Sequence, residues 1–223
     1  MFRIKICGLT SLDDALAAAD AGADAVGLNF YPRSPRYLEM EAAAAISAKL
    51  PAAVLKVGVF VNATAADIRR HVEGARLDAV QLHGDEPPEF LAELLGLTVI
   101  GALRPAAGEK VAVRQWVARC RQLGVLPGML LLDGFRAGEY GGTGARADWA
   151  AAAELCRDAT LPPLALAGGL NPENVADAIA AVRPSAVDVA GGVESSPGRK
   201  DIQKMRQFVA AARQAFRTFA QQS

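Results

Sequence analysis

The sequence predicts an α/β fold, a single eight-stranded parallel (β/α)8 barrel, on three observations. Short β-like runs alternate strictly with alanine-rich amphipathic segments, and there are eight of each;. Such alternation predicts a parallel sheet with crossover helices, and eight repeats close most naturally into a barrel. The length of 223 residues suits one such barrel;. An open, doubly wound sheet is the alternative architecture.

The individual elements follow from local patterns. Phe2 to Ile6 alternates apolar and basic residues, which predicts the first strand;. Gly8 breaks this strand, and Thr10 or Ser11 can cap the helix that follows;. The predicted strands are Arg3–Cys7, Ala25–Phe30, Leu55–Val61, Ala79–His83, Thr98–Leu103, Met129–Asp133, Leu164–Ala167 and Ala186–Ala190. The predicted helices are Leu12–Ala21, Glu39–Leu50, Ala65–Glu73, Pro88–Leu95, Lys110–Leu123, Trp149–Arg157, Pro172–Val182 and Ile202–Phe219.

Composition narrows the class of protein. No stretch has the composition of a linker, so residues 1–223 are expected to form one domain. Lysine plus arginine equals aspartate plus glutamate at 24 each, so the charge balance favours neither nucleic acid nor an anionic membrane as a partner;. The apolar runs are too short to span a bilayer, and no signal-peptide pattern opens the chain;. Three widely spaced cysteines indicate a reducing compartment, the cytoplasm, and Cys120 and Cys156 are expected to be small core residues;.

Two side chains that can carry proton transfer are predicted at one end of the barrel. Alternation along the first strand places Arg3, Lys5 and Cys7 on one face, which we expect to point into the barrel;. The same alternation places Asp133 at the inward end of the sixth strand. The carboxyl ends of the strands hold the active site in such barrels, so a thiol and a carboxyl group face a common mouth. A thiolate can remove a proton and a carboxylic acid can donate one. A buried structural cysteine and a turn aspartate are the alternatives.

Glycine clusters follow the last three predicted strands. They are Gly142 and Gly144 within the loop after strand six, Gly168 and Gly169 after strand seven, and Gly191 and Gly192 after strand eight. Glycine lets backbone N–H groups approach an anion, and the loops after strands seven and eight are the usual phosphate site of this fold. These pairs predict a phosphorylated small-molecule ligand.

Other polar residues near the predicted mouth have two interpretations each. Arg36 lies in the proline-stiffened loop Tyr31–Tyr37 and can clamp a carboxylate or phosphate, or belong to a solvated surface loop;. His83 ends the fourth strand and can contact a substrate or bond within the rim. His71, on a helix with charged neighbours, is expected to be exposed to solvent. No cluster of His, Cys and carboxylates has the spacing of metal ligands, and no dinucleotide fingerprint or Walker A loop is present;.

Taken together, these motifs resemble one family, the phosphoribosylanthranilate isomerases of tryptophan biosynthesis. The matching segments run in order along nearly the whole chain. They are Lys5–Thr10, Gly22–Phe30, Tyr31–Tyr37, Val57–Val61, Gln81–Gly84, Leu132–Asp133, Gly141–Gly144, Ala167–Pro172 and Gly192–Glu194. The set is highly specific, although several of its members also occur in other phosphate-binding barrels.

The resemblance implies roles for particular residues. It implies that Cys7 is a general base, that Asp133 is a general acid, and that Arg36 holds the anthranilate carboxylate. The chain departs from the family in two places. Ala190-Gly191 stands where the family usually has Ser-Ser, and Ala147 stands where it usually has an aromatic residue. The first change leaves only backbone groups to bind phosphate there, and the second is expected to loosen the loop after strand six.

The implied reaction is an Amadori rearrangement, in which every step is a proton transfer. We therefore expect no redox cofactor and no metal. The alternatives are a sugar-phosphate epimerase, which normally needs metal-binding histidines or a different acid pair, and a metabolite-binding barrel without turnover. The oligomeric state stays open between a monomer and a homodimer.

A buried ion pair is also predicted. Strands one and eight are neighbours in a closed barrel, and alternation points Lys5 and Asp188 inward, one layer below Cys7;. A lone buried ammonium is costly, so we expect Lys5 to pair with Asp188 and to favour the thiolate of Cys7. Alternatively, Lys5 pairs elsewhere and Asp188 contacts the ribose of the substrate.

Overall fold

Eight parallel strands form a closed barrel in chain order, and β1 pairs with β8 as well as with β2. The computed structural model describes residues 1–105, 109–134 and 147–220, with side chains to residue 218. The strands are β1 (Ile4–Cys7), β2 (Ala25–Asn29), β3 (Leu55–Phe60), β4 (Ala79–Leu82), β5 (Val99–Leu103), β6 (Met129–Leu132), β7 (Leu164–Leu166) and β8 (Ala186–Val189). The predicted barrel is confirmed, and the open sheet is wrong.

Helices separate the strands as predicted, with one difference in type. The α-helices are α1 (Leu12–Ala21), α2 (Met40–Ser47), α3 (Ala65–Gly74), α4 (Lys110–Gln122), α5 (Trp149–Cys156), α6 (Val175–Val182) and α7 (Ile202–Ala220). The fourth predicted helix is a 3₁₀ helix, Pro88–Leu94. This element begins at Pro88 and is followed by Gly96, whose φ of 89° is a left-handed value that favours glycine;.

The connection from β1 to α1 follows from its sequence. Ser11 caps α1, because its side chain accepts a hydrogen bond of 3.1 Å from the backbone N–H of Asp14;. Asp13 and Asp14 occupy the first turn, where the helix dipole favours acidic groups;. Gly22 ends the helix at φ 94°, a left-handed conformation that glycine adopts without steric cost;. The chain therefore leaves β1 at the mouth and returns to the opposite end of the barrel for β2.

Two apolar clusters follow from the alternation of side chains. The larger lies between the strands and the helices and includes Ile4 and Ile6 of β1. The smaller fills the inside of the barrel and contains Phe2, Ala25, Val57, Ala79, Ile100, Ala102, Met129, Leu131, Ala165, Ala167 and Ala186. Lys5 is fully buried among the inward-facing side chains, as the alternation predicts;.

Two predicted side-chain positions are wrong. Arg3 is exposed, and its guanidinium lies 5.2 Å from the ring centre of Phe216 on α7, outside the barrel;. It precedes β1, so the strand alternation does not hold it. His71 is half-buried, with its ring centre 4.5 Å from that of Phe30 and 5.7 Å from that of Phe60. Its aromatic partners lie directly after β2 and at the end of β3, which the charged neighbours on its own helix did not indicate.

The other two cysteines behave as the sequence predicts. Cys120 is buried in the outer core, and Cys156 is half-buried against it. Burial raises the pKa of both thiols to about 11;. Within the described residues, no helix has the length and apolar character to cross a membrane.

A short hairpin between β8 and α7 was not predicted. A 3₁₀ turn at Gly191–Val193 leads into β9 (Glu194–Ser196), which pairs antiparallel with β10 (Arg199–Lys200). The hydroxyl of Thr10 donates a hydrogen bond of 2.6 Å to the carbonyl of Gly198 in the turn. This bond fixes the hairpin against the loop after β1, at the same end of the barrel as the predicted site.

Candidate active site

The carboxyl ends of the strands surround a cavity of about 550 Å³. The structure brings every described candidate residue to this one cavity, since its lining includes Cys7, Arg36, His83, Asp133, Gly168, Gly169, Asp188, Gly191 and Gly192. Gly142 and Gly144 lie outside the described residues. A cavity that gathers a thiol, carboxyl groups and cations can hold an anionic ligand and move its protons.

Cys7 ends β1 and is 8 % exposed at the mouth. Its neighbour across the sheet is Gly27, where a Cβ would lie only 2.5 Å from the Cys7 Sγ, so glycine makes room for the thiol. Burial raises the pKa of this thiol, and Asp188 raises it further, while the ammonium groups of Lys5 and Lys200 act to lower it;. Both lysines therefore favour the thiolate, as the sequence predicted for Lys5. In the free protein their effect on the pKa is smaller than that of the loss of hydration on burial.

The predicted ion pair lies directly below Cys7. Lys5 Nζ is 2.8 Å from Asp188 Oδ1, which confirms the pairing of the two strands' side chains. Burial alone would lower the pKa of Lys5, but Asp188 and Cys7 outweigh burial and raise it;. Lys5 therefore remains a cation, and Asp188 lines the cavity while paired with it. The alternative in which Lys5 pairs elsewhere is wrong, whereas a contact between Asp188 and the substrate stays a prediction.

Breaking this pair is expected to destabilise the barrel. Lys5→Met leaves the buried carboxylate of Asp188 without its cation. We therefore expect the free energy of unfolding, measured by urea denaturation, to fall by about 3–5 kcal/mol. The double variant Lys5→Met/Asp188→Leu removes both charges and should regain part of that loss. A double variant as unstable as Lys5→Met would contradict the uncompensated charge as the cause.

Asp133 follows β6 and is oriented from both sides. Its Oδ1 accepts a hydrogen bond of 2.8 Å from the N–H of Gly134, and its Oδ2 lies 3.1 Å from His83 Nε2. The other ring nitrogen, His83 Nδ1, lies 2.7 Å from the side-chain nitrogen of Gln81, which is fully buried in β4. With the amide N–H donating to Nδ1, the proton of His83 is on Nε2 and points at the carboxylate. His83 is thus hydrogen-bonded to another residue of the rim, Asp133. Gln81 orients the ring of His83, a role that the sequence analysis missed.

Arg36 belongs to a buried network rather than to a solvated loop. Its Nε and Nη2 donate to Glu194 Oε1 and Oε2 at 2.7 and 2.8 Å. Lys200 Nζ donates to Glu194 Oε1 at 2.8 Å and to the carbonyl of Ala190 at 3.0 Å. Burial would raise the pKa of Glu194, but its bonds to Arg36 and Lys200 outweigh burial and lower it;. Neither Glu194 nor Lys200 was predicted to act here, although Glu194 stood in one of the matching segments.

The glycine pairs bring the last two loops into contact. Gly168 and Gly169 have φ of 79° and 65°, left-handed values that favour glycine;. A Cβ on Gly192 would lie 1.8 Å from the carbonyl oxygen of Leu170, so the loops after β7 and β8 touch there. The side chain of Asn174 holds the first loop by donating to the carbonyl of Gly169 at 2.9 Å. The result is backbone that a ligand can approach without obstruction by side chains, which suits a phosphate.

Comparison with known proteins gives one consistent match. The family model described as N-(5'phosphoribosyl)anthranilate (PRA) isomerase matches residues 4–211. The N-(5'-phosphoribosyl)anthranilate isomerase of Myxococcus xanthus is 50% identical over 212 residues, covering 95% of this chain and 96% of the relative. That of Geobacter sulfurreducens is 44% identical over 222 residues, covering 96% and 99%.

Solved structures agree with the sequence matches. The Thermotoga maritima phosphoribosyl anthranilate isomerase superposes with a TM-score of 0.82 at 43% identity, covering 96% of this chain and all of that one. A phosphoribosyl anthranilate isomerase crystallised with reduced 1-(o-carboxyphenylamino)-1-deoxyribulose 5-phosphate gives a TM-score of 0.81 at 39% identity, covering 96% of this chain and all of that one. Fold, site and comparisons therefore point to the same family.

Proposed function

This chain belongs to the N-(5'-phosphoribosyl)anthranilate isomerase family, and we propose that Cys7 and Asp133 perform the proton transfers of its reaction. The enzyme is an isomerase of tryptophan biosynthesis. The reaction is an Amadori rearrangement, which converts N-(5'-phosphoribosyl)anthranilate to 1-(2-carboxyphenylamino)-1-deoxyribulose 5-phosphate. The observation that carries the assignment is the meeting of one thiol and one carboxyl group at a cavity that also contains Arg36.

Asp133 acts first, as the general acid. In its protonated form it donates a proton to the ring oxygen of the furanose, the bond from that oxygen to C1 breaks, and a Schiff base forms between C1 and the amine. Gly134 and His83 contact the two carboxyl oxygens and hold the group toward the cavity. An acid positioned in this way contributes roughly 10²–10⁴-fold to the rate.

Cys7 acts second, as the general base. Its thiolate takes the proton from C2, and the electron pair of that C–H bond moves to form the C1–C2 double bond of an enolamine. The enolamine then gains a proton at C1 and loses one from the C2 hydroxyl, which gives the ketone. The ammonium groups of Lys5 and Lys200 favour the thiolate that this step requires;.

Binding uses two groups of residues in the lining of the cavity. We assign the anthranilate carboxylate to Arg36 and the phosphate to the backbone at Gly168, Gly169, Gly191 and Gly192, with Gly142 and Gly144 proposed from the sequence alone. Asp188 lines the cavity close to Cys7, where its carboxylate can accept a hydrogen bond from a sugar hydroxyl. The relative crystallised with the reduced product supports a phosphorylated ligand of this size.

The assay that tests this function follows the loss of anthranilate fluorescence. Purified protein is mixed with freshly prepared N-(5'-phosphoribosyl)anthranilate, and the fluorescence should fall faster than in the absence of enzyme because the substrate is consumed. A rate equal to the uncatalysed one would contradict the proposed activity and favour the alternative of a metabolite-binding barrel.

Gly191→Asp tests the phosphate site. The new carboxylate would face the phosphate, and like charges brought together at a binding site cost several kcal/mol, so we expect KM to rise at least about tenfold. Its Cβ would lie 3.4 Å from Arg36 Nη2, so the change also affects the carboxylate clamp. The inhibition constant of inorganic phosphate separates the two effects, since only loss of the phosphate site raises it.

The neutral variant Gly191→Asn is the matched control. It has the same shape without the charge and should retain most of the affinity for phosphate. An unchanged phosphate inhibition constant in Gly191→Asp would remove this loop from the phosphate site.

Compartment and assembly are finer proposals. We place the enzyme in the cytoplasm, since its three cysteines are free thiols, as is usual in a reducing compartment;. We propose that residues 1–223 form one domain. We propose that the protein is a monomer or a homodimer, and the homodimer is supported by the Thermotoga maritima relative, which is described as dimeric. Sedimentation at micromolar concentration distinguishes the two states.

A further inference from the structure

We propose that Glu194 and Lys200 are positioning residues that hold the Arg36 guanidinium in the orientation in which it recognises the substrate carboxylate. The inference rests on the proposed role of Arg36. It assigns a function to the hairpin between β8 and α7 and to its two buried ionic groups, of which the proton transfers use only the positive charge of Lys200 near Cys7.

The geometry leaves one defined edge of the guanidinium for a ligand. Glu194 occupies the edge formed by Nε and Nη2, with both bonds at 2.8 Å or less. A guanidinium has a second edge, formed by Nη1 and Nη2, which can take another carboxylate with two parallel hydrogen bonds. Arg36 therefore can hold Glu194 and a ligand carboxylate at the same time, on different edges.

The stem of Arg36 is fixed as well. It crosses Gly8, where a Cβ would lie 2.3 Å from the Arg36 Cδ, so the side chain lies directly against the backbone. Gly8 has a φ of 72°, a conformation that favours glycine on its own account;. Arg36 is only 8 % exposed although its loop is at the mouth. With both the stem and one edge of the guanidinium held, little rotamer freedom remains to be lost when a ligand binds.

Lys200 keeps the network cationic. An arginine and a glutamate alone are neutral as a pair and would attract a ligand carboxylate weakly. Lys200 adds a second cation to the same carboxylate, where it shares Glu194 Oε1 with Arg36 Nε, so the three residues carry a net charge of one positive unit. Its Nζ also donates to the carbonyl of Ala190, at the end of β8.

The hairpin delivers Lys200 to this position. The backbone N–H of Lys200 donates to Asp14 Oδ2 at 3.2 Å, and Thr10 holds the turn at Gly198. Thr10 lies in the connection from β1 to α1 and Asp14 in the first turn of α1, so both partners belong to the segment that follows Cys7. The hairpin thus joins the clamp for the carboxylate to the strand that carries the base.

Charge and position predict opposite outcomes for one substitution. Glu194→Ala raises the net charge of the network from one to two positive units, so attraction alone would tighten the binding of an anion. Loss of position would weaken it, because two adjacent cations repel each other and the guanidinium turns away. We expect the second outcome, since a buried hydrogen-bonded charge pair depends strongly on both partners.

The experiment uses two stable ligands that differ in one group. The first is reduced 1-(o-carboxyphenylamino)-1-deoxyribulose 5-phosphate, and the second is its phenylamino counterpart without the carboxyl group. Calorimetric titration of the wild-type protein should show tighter binding of the first. In Glu194→Ala we expect the dissociation constant of the carboxylated ligand to rise at least about tenfold and that of its counterpart to change less than about twofold. Lys200→Met should show the same selective loss.

Two further variants control for folding. Glu194→Gln keeps the shape and one acceptor oxygen and should lose less affinity than Glu194→Ala. Lys204→Met removes a nearby lysine that donates to the backbone carbonyl of Glu194 rather than to its carboxylate, and it should leave both dissociation constants within about twofold;.

Each other result overturns the inference. Equal losses for the two ligands would mean that Glu194 only supports the fold. Unchanged or tighter binding of the carboxylated ligand would mean that charge, not position, decides. Failure of the proposed function gives a different result from failure of this inference. In that case the wild-type protein itself neither turns over substrate nor prefers the carboxylated ligand.

Discussion

Replacing Cys7 by serine is expected to lower kcat/KM by roughly 10²–10⁴-fold while the barrel stays folded. Serine has nearly the same shape, and a hydroxyl is a far weaker base than a thiolate near neutral pH. The substitution leaves the ion pair of Lys5 and Asp188 in place, so the loss should appear in kcat more than in the stability of the fold. The measurement is the steady-state loss of anthranilate fluorescence, with the melting temperature as the check on folding.

Cys156→Ser is the matched control for this variant. Its thiol is half-buried against the outer core, on α5, and takes no part in the lining of the cavity. It should retain full activity. Retention of more than about a tenth of kcat/KM by Cys7→Ser corresponds to a loss below about 1.4 kcal/mol and would show that Cys7 is not the base.

The same assignment predicts a dependence on pH. Burial raises the pKa of the Cys7 thiol, and the base acts only as the thiolate;. The rate at which iodoacetamide alkylates Cys7, which reacts only as the thiolate, should therefore increase as pH rises toward that pKa and level off above it. Lys5→Met removes a cation that lowers the pKa of Cys7, so the rise should move to higher pH in this variant. A rise at the same pH in both proteins would show that Lys5 does not influence the pKa of Cys7.

Replacing Asp133 by asparagine is expected to lower kcat by a comparable factor, roughly 10²–10⁴-fold. Asparagine keeps the size of the side chain, and its one carbonyl oxygen can still accept from Gly134 or from His83, but it has no acidic proton for the ring oxygen. Substrate should still bind, so KM should change little while kcat falls. Single-turnover measurements with excess enzyme check that ring opening, rather than product release, is the step that slows.

Asp85→Asn is the matched control at the same rim. Asp85 lies two residues after His83, is exposed, and is bonded to Arg104. Its carboxylate is absent from the cavity lining, so its loss should leave kcat unchanged. Near-normal kcat in Asp133→Asn would mean that another group opens the ring.

Much of the site was predictable because it depends on periodicity. Alternation along β1 and β8, together with closure of the barrel, is enough to bring Lys5 to Asp188 although they are separated by 183 residues. Position at a strand end likewise predicts Cys7 and Asp133 at one mouth. These inferences need only the number of strands and the direction of successive side chains.

The unpredicted part lies where no period applies. Arg36 and Glu194 both lie in connections after strands, 158 residues apart, and no repeat relates them. The hairpin that carries Lys200 has strands of three and two residues, too short to produce a pattern in the sequence. The prediction for Arg3 is wrong for a related reason, because alternation was applied to a residue that precedes the strand. Contacts of this kind are decided by tertiary packing rather than by local preference.

Closure of the barrel between β1 and β8 also orders events in time. During synthesis Cys7 emerges from the ribosome well before Asp188, Glu194 and Lys200, which lie at the other side of the barrel's closure in sequence. A nascent chain that lacks β8 and the hairpin has a cysteine but neither the buried ion pair below it nor the clamp beside it. Competence for catalysis therefore arises only after β8 and the hairpin have emerged, when β8 docks against β1.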